Sequence, residues 1–167
     1  MSEASGGGAV RRILFLCTGN TCRSPLAEVI ARDAAGRLGL ELEFRSAGIA
    51  ALEGAPASEG SEIVARSHGL ELGAHNARQF TPERASGFDL ILAMDHVHVD
   101  VAESIVPAVP CRLITDYLPE QDARRGESVP DPFGDWTDRY EEAYQLIEAS
   151  ITAFLESPEI DASSDAR

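Results

Sequence analysis

A cysteine and an arginine stand six residues apart in a segment whose other residues suit the binding of an anion. Residues 17–24 read C-T-G-N-T-C-R-S, after an apolar run and before a proline. Cys17 is a nucleophile when its sulfur is ionised, and Arg23 can hold phosphoryl oxygens with two parallel N–H donors. This pairing suggests transfer of a phosphoryl group to sulfur.

The residues around this pair favour a tight loop of main-chain donors. Gly19 and Asn20 are types that accept positive φ, as a nest of N–H groups around an anion requires. The loop leads into a helix N-terminus, where N–H groups are unpaired and the dipole favours negative charge. With Ser24 donating to the sulfur, the loop favours a thiolate. The predicted phosphate-binding residues are Thr18, Gly19, Asn20, Thr21, Cys22 and Ser24.

The reaction also needs a carboxylic acid, which protonates the leaving group and later activates a water molecule. Asp131 lies in V-P-D-P-F-G, where the two prolines stiffen the chain, and Asp116 and Asp122 lie nearby in sequence. The residue types alone rank Asp131 first, with Asp116 and Asp122 as competing candidates.

Short apolar runs alternate with amphipathic stretches. Strands are predicted at residues 10–16, 42–45, 88–94 and 112–114, and helices at 25–38, 59–68, 95–105 and 137–155, with a short helix opened by Thr81-Pro82. The pattern predicts a three-layer α/β fold, with a central four-stranded parallel twisted sheet flanked by helices. The loop at Cys17 follows strand one, at the sheet edge where such folds bind ligands. One domain is expected at residues 10–156, with flexible tails at 1–9 and 157–167.

The composition excludes several classes of protein. Twenty-eight acidic residues against 14 basic ones give a net charge of −14, which disfavours nucleic acid and anionic membranes as partners. No apolar run approaches the roughly 20 residues that span a bilayer, and residues 1–9 lack the features of a signal peptide. Three cysteines are too few for a disulfide framework, which indicates a cytoplasmic protein. A monomer without metal or cofactor is also expected.

The segment C-x-G-N-x-C-R-S-P resembles the signature of the low-molecular-weight protein phosphatase family. Further matches follow in family order at residues 46–48, 69–79, 89–95 and 131–134, so the resemblance covers about residues 10–156. It implies a cysteine-dependent protein phosphatase that acts through a phosphocysteine intermediate, with phosphorylated proteins as substrates and inorganic phosphate as product.

The resemblance also assigns roles to residues outside the loop. It implies that Asp131 is the acid and then the base. Ser46 and His75 resemble the members of a polar network that, with Asn20 and Ser24, holds the loop in shape. A core histidine bonded to Glu28 is a compatible interpretation of His75.

Thr21 and Phe133 bear on the choice of substrate. Tyrosine-specific relatives mostly carry an aliphatic residue at the position of Thr21, whereas C-T-G-N-T-C-R-S-P with D-P-F-G resembles the bacterial protein-arginine-phosphatase branch. The Thr21 hydroxyl could accept a hydrogen bond from a guanidinium, or bond within the loop. Phosphoarginine is therefore predicted, with phosphotyrosine as the alternative. Trp136 stands where members of that branch usually have a small residue, and its ring could contact either a phenyl group or a guanidinium.

Other interpretations remain for some residues. An arsenate reductase would need a relay of further cysteines, and only Cys111 lies outside the loop. A phospho-residue binding module without activity would not need both Cys17 and Asp131.

Cys22 is either a disulfide partner of Cys17 or a packing residue. His96 and His98 do not share a helix face, so a capped, partly exposed helix start is preferred to a metal site.

Overall fold

Four parallel strands form the centre of the protein, which a computed structural model describes over residues 9–160. They are β1 (Arg12–Cys17), β2 (Glu43–Gly48), β3 (Leu90–Ala93) and β4 (Cys111–Leu113). Their order across the sheet is β2-β1-β3-β4, and each neighbouring pair is parallel. The predicted α/β fold class is therefore confirmed.

Helices cover both faces of the sheet. They are α1 (Arg23–Arg37), α2 (Glu59–Ser67), α3 (Pro82–Ala85), α4 (His96–Ile105) and α5 (Thr137–Leu155), with a 3₁₀ turn at Ile114–Tyr117. Helices α1, α2 and α5 share one apolar core with the sheet, and α3 and α4 share the other. Within residues 9–160, none of the helices combines the length and the apolar character needed to cross a membrane.

Helix α5 shows how the apolar pattern translates into packing. The residues that recur at helical spacing along it are all buried: Tyr140, Tyr144, Ile147, Ile151 and Leu155. Their burial on one stripe anchors α5 against α1 and α2, and so completes the core beneath the loop that follows β1.

Helix α1 begins two residues earlier than the sequence predicts. It starts at Arg23, so Pro25 is its third residue and not its first. Proline is tolerated there because N–H groups in the first turn have no partner within the helix. Because of the early start, the last two residues of the loop, Arg23 and Ser24, are also the first two residues of the helix.

The register of the sheet brings three loops together. Cys17 at the end of β1 lies opposite Gly48 of β2, and Leu16 lies opposite Ala93 of β3. The segments that follow these three strands therefore meet at one edge, around the loop at residues 17–24.

Residues 157–160, which the sequence places in a tail, pack against the domain. Ile160 is buried, and the Glu159 carbonyl accepts the Val10 N–H at 3.3 Å. The Glu159 carboxylate pairs with Arg112 and accepts the Tyr117 hydroxyl. The remainder of the expected tails, residues 1–8 and 161–167, lies outside the described residues.

Candidate active site

The loop after β1 surrounds the sulfur of Cys17 with donors. Cys17 Sγ lies 2.8 Å from Ser24 Oγ and accepts the Asn20 N–H at 3.3 Å. Ser24 Oγ itself accepts Asn20 Nδ2 at 2.8 Å, and its hydroxyl proton can be donated to the sulfur at 2.8 Å or to the Ala47 carbonyl at 3.5 Å, of which the sulfur is the nearer. Donors directed at one atom stabilise negative charge there. The geometry therefore suits a nucleophilic thiolate.

Asn20 gives the loop its shape. It has φ of 55°, and it is the one non-glycine residue with positive φ among the described residues. Gly19, which was expected to share this role, does not adopt positive φ. The turn falls on Asn20 because its side chain is bonded on both ends: Nδ2 donates to Ser46 Oγ at 2.9 Å, and Oδ1 accepts the Arg78 N–H at 2.9 Å.

His75 supports the loop through the backbone. Its Nε2 lies 2.6 Å from the Asn20 carbonyl oxygen, and it makes no hydrogen bond to Glu28, contrary to the interpretation of a bonded pair. Glu28 instead accepts the Ser46 hydroxyl at 3.0 Å and Arg32 at 2.6 Å. The Glu28 carboxylate is therefore paired with Arg32 and Ser46, and the His75 imidazole bonds to the loop instead.

Gly48 allows the loop to approach the end of β2. A Cβ at this position would lie 2.5 Å from the Thr18 carbonyl oxygen and 2.8 Å from the Asn20 nitrogen. Both atoms belong to the backbone, so neither can move without distorting the loop.

We expect Gly48→Ala to destabilise the protein by about 1–3 kcal/mol and to impair catalysis, because overpacking against backbone shifts the loop. Gly36→Ala in α1 is the matched control, since its Cβ would meet nothing within 4 Å. That variant should be stabilised by roughly 0.5–1 kcal/mol. Denaturant unfolding and turnover measure both effects, and a Gly48→Ala protein with unchanged stability would contradict the prediction.

Arg23 is buried and held from two sides. Its Nη1 donates to the Val129 carbonyl at 3.0 Å, and its Nη2 makes a longer contact of 3.5 Å with Thr18 Oγ1. Its Nε is buried and has no hydrogen-bond partner among the described residues. A buried N–H without a partner is unfavourable, and an oxygen of a bound phosphoryl group would supply one.

The structure separates the three candidate acids. Asp131 Oδ2 lies 3.6 Å from Arg23 Nη2, and the carboxylate is half exposed. Asp122 instead bonds Arg124, and this hydrogen bond, with the Arg124 N–H, lowers the pKa of Asp122 to about 2. Asp116 lies beside Gly126. Of the three, Asp131 is the carboxylate placed next to the arginine of the loop.

Cys22 points into the core. Its thiol donates to Ser58 Oγ at 3.2 Å and lies 3.6 Å from the Tyr140 hydroxyl. These contacts support the packing interpretation, and all three cysteines are free thiols in this structure. A Cys17–Cys22 disulfide remains a hypothesis.

His98 is a site residue that the sequence analysis missed. Asp95 caps α4 as predicted, but His98 has no exposed surface, and its Nε2 lies 2.9 Å from Thr18 Oγ1. His96 faces elsewhere, with its Nε2 3.0 Å from the Gly126 carbonyl oxygen. The available signal was topological: the first turn of α4 follows β3, the neighbour of β1, at the edge where the loop lies.

The arrangement matches known proteins over nearly its whole length. The model of the low molecular weight phosphotyrosine protein phosphatase family matches residues 12–164. The chain belongs to this family. The low molecular weight protein-tyrosine-phosphatase YfkJ of Bacillus subtilis is 35% identical over 87% of this chain and 94% of its own length.

Solved structures of family members share the fold. The Erwinia amylovora tyrosine phosphatase AmsI superimposes with a TM-score of 0.79 at 32% identity, over 90% of this chain and 95% of that one. The YwlE arginine phosphatase of Bacillus subtilis superimposes with a TM-score of 0.81 at 28% identity, over 91% of this chain and 98% of that one. The protein is therefore a phosphatase of the low molecular weight family.

Exposed apolar side chains lie close in sequence to residues of this site. Phe133 and Trp136 follow Asp131 and are 69% and 84% exposed. Leu52 is 78% exposed, two residues beyond Ala50, whose N–H donates to the Thr18 carbonyl at 2.9 Å. The sequence analysis did not single out Leu52. Exposed apolar groups of this kind are suited to contact a partner molecule.

Proposed function

We propose that this phosphatase hydrolyses phosphoarginine residues of proteins through a phosphocysteine formed on Cys17. One observation carries the choice of substrate. Thr21 is half-buried, and its hydroxyl makes a single hydrogen-bonding contact among the described residues, at 3.8 Å from Cys22 Sγ. A hydroxyl that has only this long contact with sulfur in the loop remains available to accept a hydrogen bond from a guanidinium.

The chemistry of the two substrates supports this assignment. A phosphoarginine guanidinium carries several N–H donors, and a buried donor left unpaired costs about 1–3 kcal/mol. A phenyl ring has no such donor and prefers an apolar wall. The similarity to the YwlE arginine phosphatase is consistent with the proposal.

In the first step, Cys17 sulfur attacks phosphorus and the P–N bond breaks. Arg23 and the loop N–H groups hold the phosphoryl oxygens, where charge develops in the transition state. Asp131 donates a proton to the departing guanidine nitrogen.

In the second step, water replaces sulfur. The Asp131 carboxylate accepts a proton from water as its oxygen attacks phosphorus, the S–P bond breaks and phosphate departs. The thiolate is restored between Ser24 and the Asn20 N–H. Within reach of Arg23 and partly exposed, Asp131 is accessible to both the leaving group and water.

Phosphotyrosine is the second candidate substrate. The exposed Phe133 and Trp136 could form an aromatic rim for a phenyl ring. The names of the YfkJ and AmsI relatives refer to tyrosine phosphatases, which favours the same candidate.

Side-by-side kinetics on phosphoarginine and phosphotyrosine peptides test the proposal. We expect the wild-type protein to prefer phosphoarginine, and Thr21→Ile to shift the ratio of kcat/KM toward phosphotyrosine by about 10–100-fold, because the isoleucine leaves a guanidinium donor unpaired. Thr21→Ser keeps the hydroxyl and should keep the preference. A wild-type preference for phosphotyrosine would refute the substrate assignment, and an unchanged ratio in Thr21→Ile would refute the role of Thr21.

A further inference from the structure

We infer that His98 is a positioning residue, which orients the Arg23 guanidinium through the hydroxyl of Thr18. The inference rests on the proposed role of Arg23 in holding the phosphoryl group. It assigns a function to a buried side chain that takes no part in the chemical steps above.

Three elements meet at one oxygen atom. Thr18 Oγ1 lies in the loop after β1, His98 Nε2 approaches it from α4 at 2.9 Å, and Arg23 Nη2 approaches it from α1 at 3.5 Å. On the other side, the Val129 carbonyl accepts Arg23 Nη1 at 3.0 Å. Contacts on both terminal nitrogens restrict the rotation of the guanidinium, while Nε has no hydrogen-bond partner within residues 9–160.

The imidazole is neutral at physiological pH. Burial and, to a smaller extent, the positive charge of Arg23 together lower the pKa of His98 to about 4, against the weaker opposing influence of Asp95 and Asp131. A neutral ring can share an oxygen with the guanidinium without charge repulsion. Protonation would place two cations on one hydroxyl.

The surroundings of His98 favour one tautomer of the imidazole. His98 Nδ1 is buried and has no partner among the described residues. A proton on Nε2 has the Thr18 hydroxyl oxygen as its acceptor, whereas a proton on Nδ1 would have none among the described residues, so we place the proton on Nε2. His98 then donates to Thr18 Oγ1, whose second lone pair is free for Arg23 Nη2. His98 thus sets the position of the acceptor that Arg23 uses.

A purely structural role for His98 makes different predictions. As a packing residue it would affect stability alone, and the Thr18 hydroxyl would be irrelevant. Thr18 is exposed, so Thr18→Val removes the hydroxyl without disturbing the core. That substitution therefore separates positioning from packing.

The test measures hydrolysis of an aryl phosphate and the affinity for inorganic phosphate, by competitive inhibition and by calorimetry. Thr18→Val and His98→Leu should each lower kcat/KM and phosphate affinity about 10-fold, and together no more than either alone. Thr18→Ser should recover most of the loss. In an Arg23→Ala background, Thr18→Val should have no further effect. His96→Asn on the same helix is the control that keeps wild-type activity.

Nitrogen chemical shifts of His98 supply an independent readout, with a protonated Nε2 and an unprotonated Nδ1 expected at pH 7. If the His98→Leu variant does not fold, the Thr18→Val variant and these chemical shifts test the positioning role of His98 without it. Unchanged phosphate affinity in Thr18→Val, with a large loss in Arg23→Ala, would overturn the inference alone. Unchanged phosphate affinity in Arg23→Ala would overturn both the inference and the proposed phosphate site.

Discussion

Replacement of Cys17 by serine is expected to lower turnover by about 10⁴-fold or more while the protein still binds phosphate. A serine hydroxyl is not ionised at neutral pH, so the attack on phosphorus has no effective nucleophile. The anion cradle survives, because Arg23 and the loop backbone are held by contacts that do not involve sulfur, such as those to Val129 and Ser46.

Cys111→Ser is the matched control for this variant. Cys111 lies at the start of β4, and burial, with a smaller influence of Glu103, raises the pKa of its thiol to about 12. A protonated thiol outside the loop should contribute nothing to turnover. Steady-state kinetics and calorimetric titration with phosphate measure the two properties. Retention of more than about 1% of the activity in Cys17→Ser would remove Cys17 as the nucleophile.

Asp131→Asn should lower kcat by about 10²–10³-fold for substrates with poor leaving groups, and much less for good ones. An amide cannot donate a proton to the departing group, and a leaving group of low pKa does not need one. The position of Asp131 beside Arg23 is the basis for this expectation. A series of aryl phosphates with different phenol pKa values gives the dependence of rate on the leaving group.

Asp135→Asn is the control for this series. It removes one negative charge four residues after Asp131, at an exposed position in the segment before α5. The dependence of the rate on the leaving group should then be the same as in the wild type. An equal rate for Asp131→Asn and wild type across the whole series would show that the acid is another group. Asp122 is a poor substitute, because its bond to Arg124 keeps it ionised.

The sequence predicted the features that depend on neighbouring residues. The loop at residues 17–24, the Asp95 cap and the buried stripe of α5 each follow from residues within a few positions of one another. Strand and helix types were also predicted, because apolar periodicity is a local property. The ends of elements were less accurate: α1 begins at Arg23 because the loop and the helix share their first turn.

By itself, the sequence determined the chemistry of this protein: a cysteine, an arginine and a chain of donors that can surround an oxyanion. Tertiary structure decided how that chemistry is held in place. The contacts of Thr18 with His98 and of Asn20 with His75 join residues 80 and 55 positions apart. Such pairs follow from the order and register of parallel strands, which bring distant loops to one edge and which no local pattern encodes.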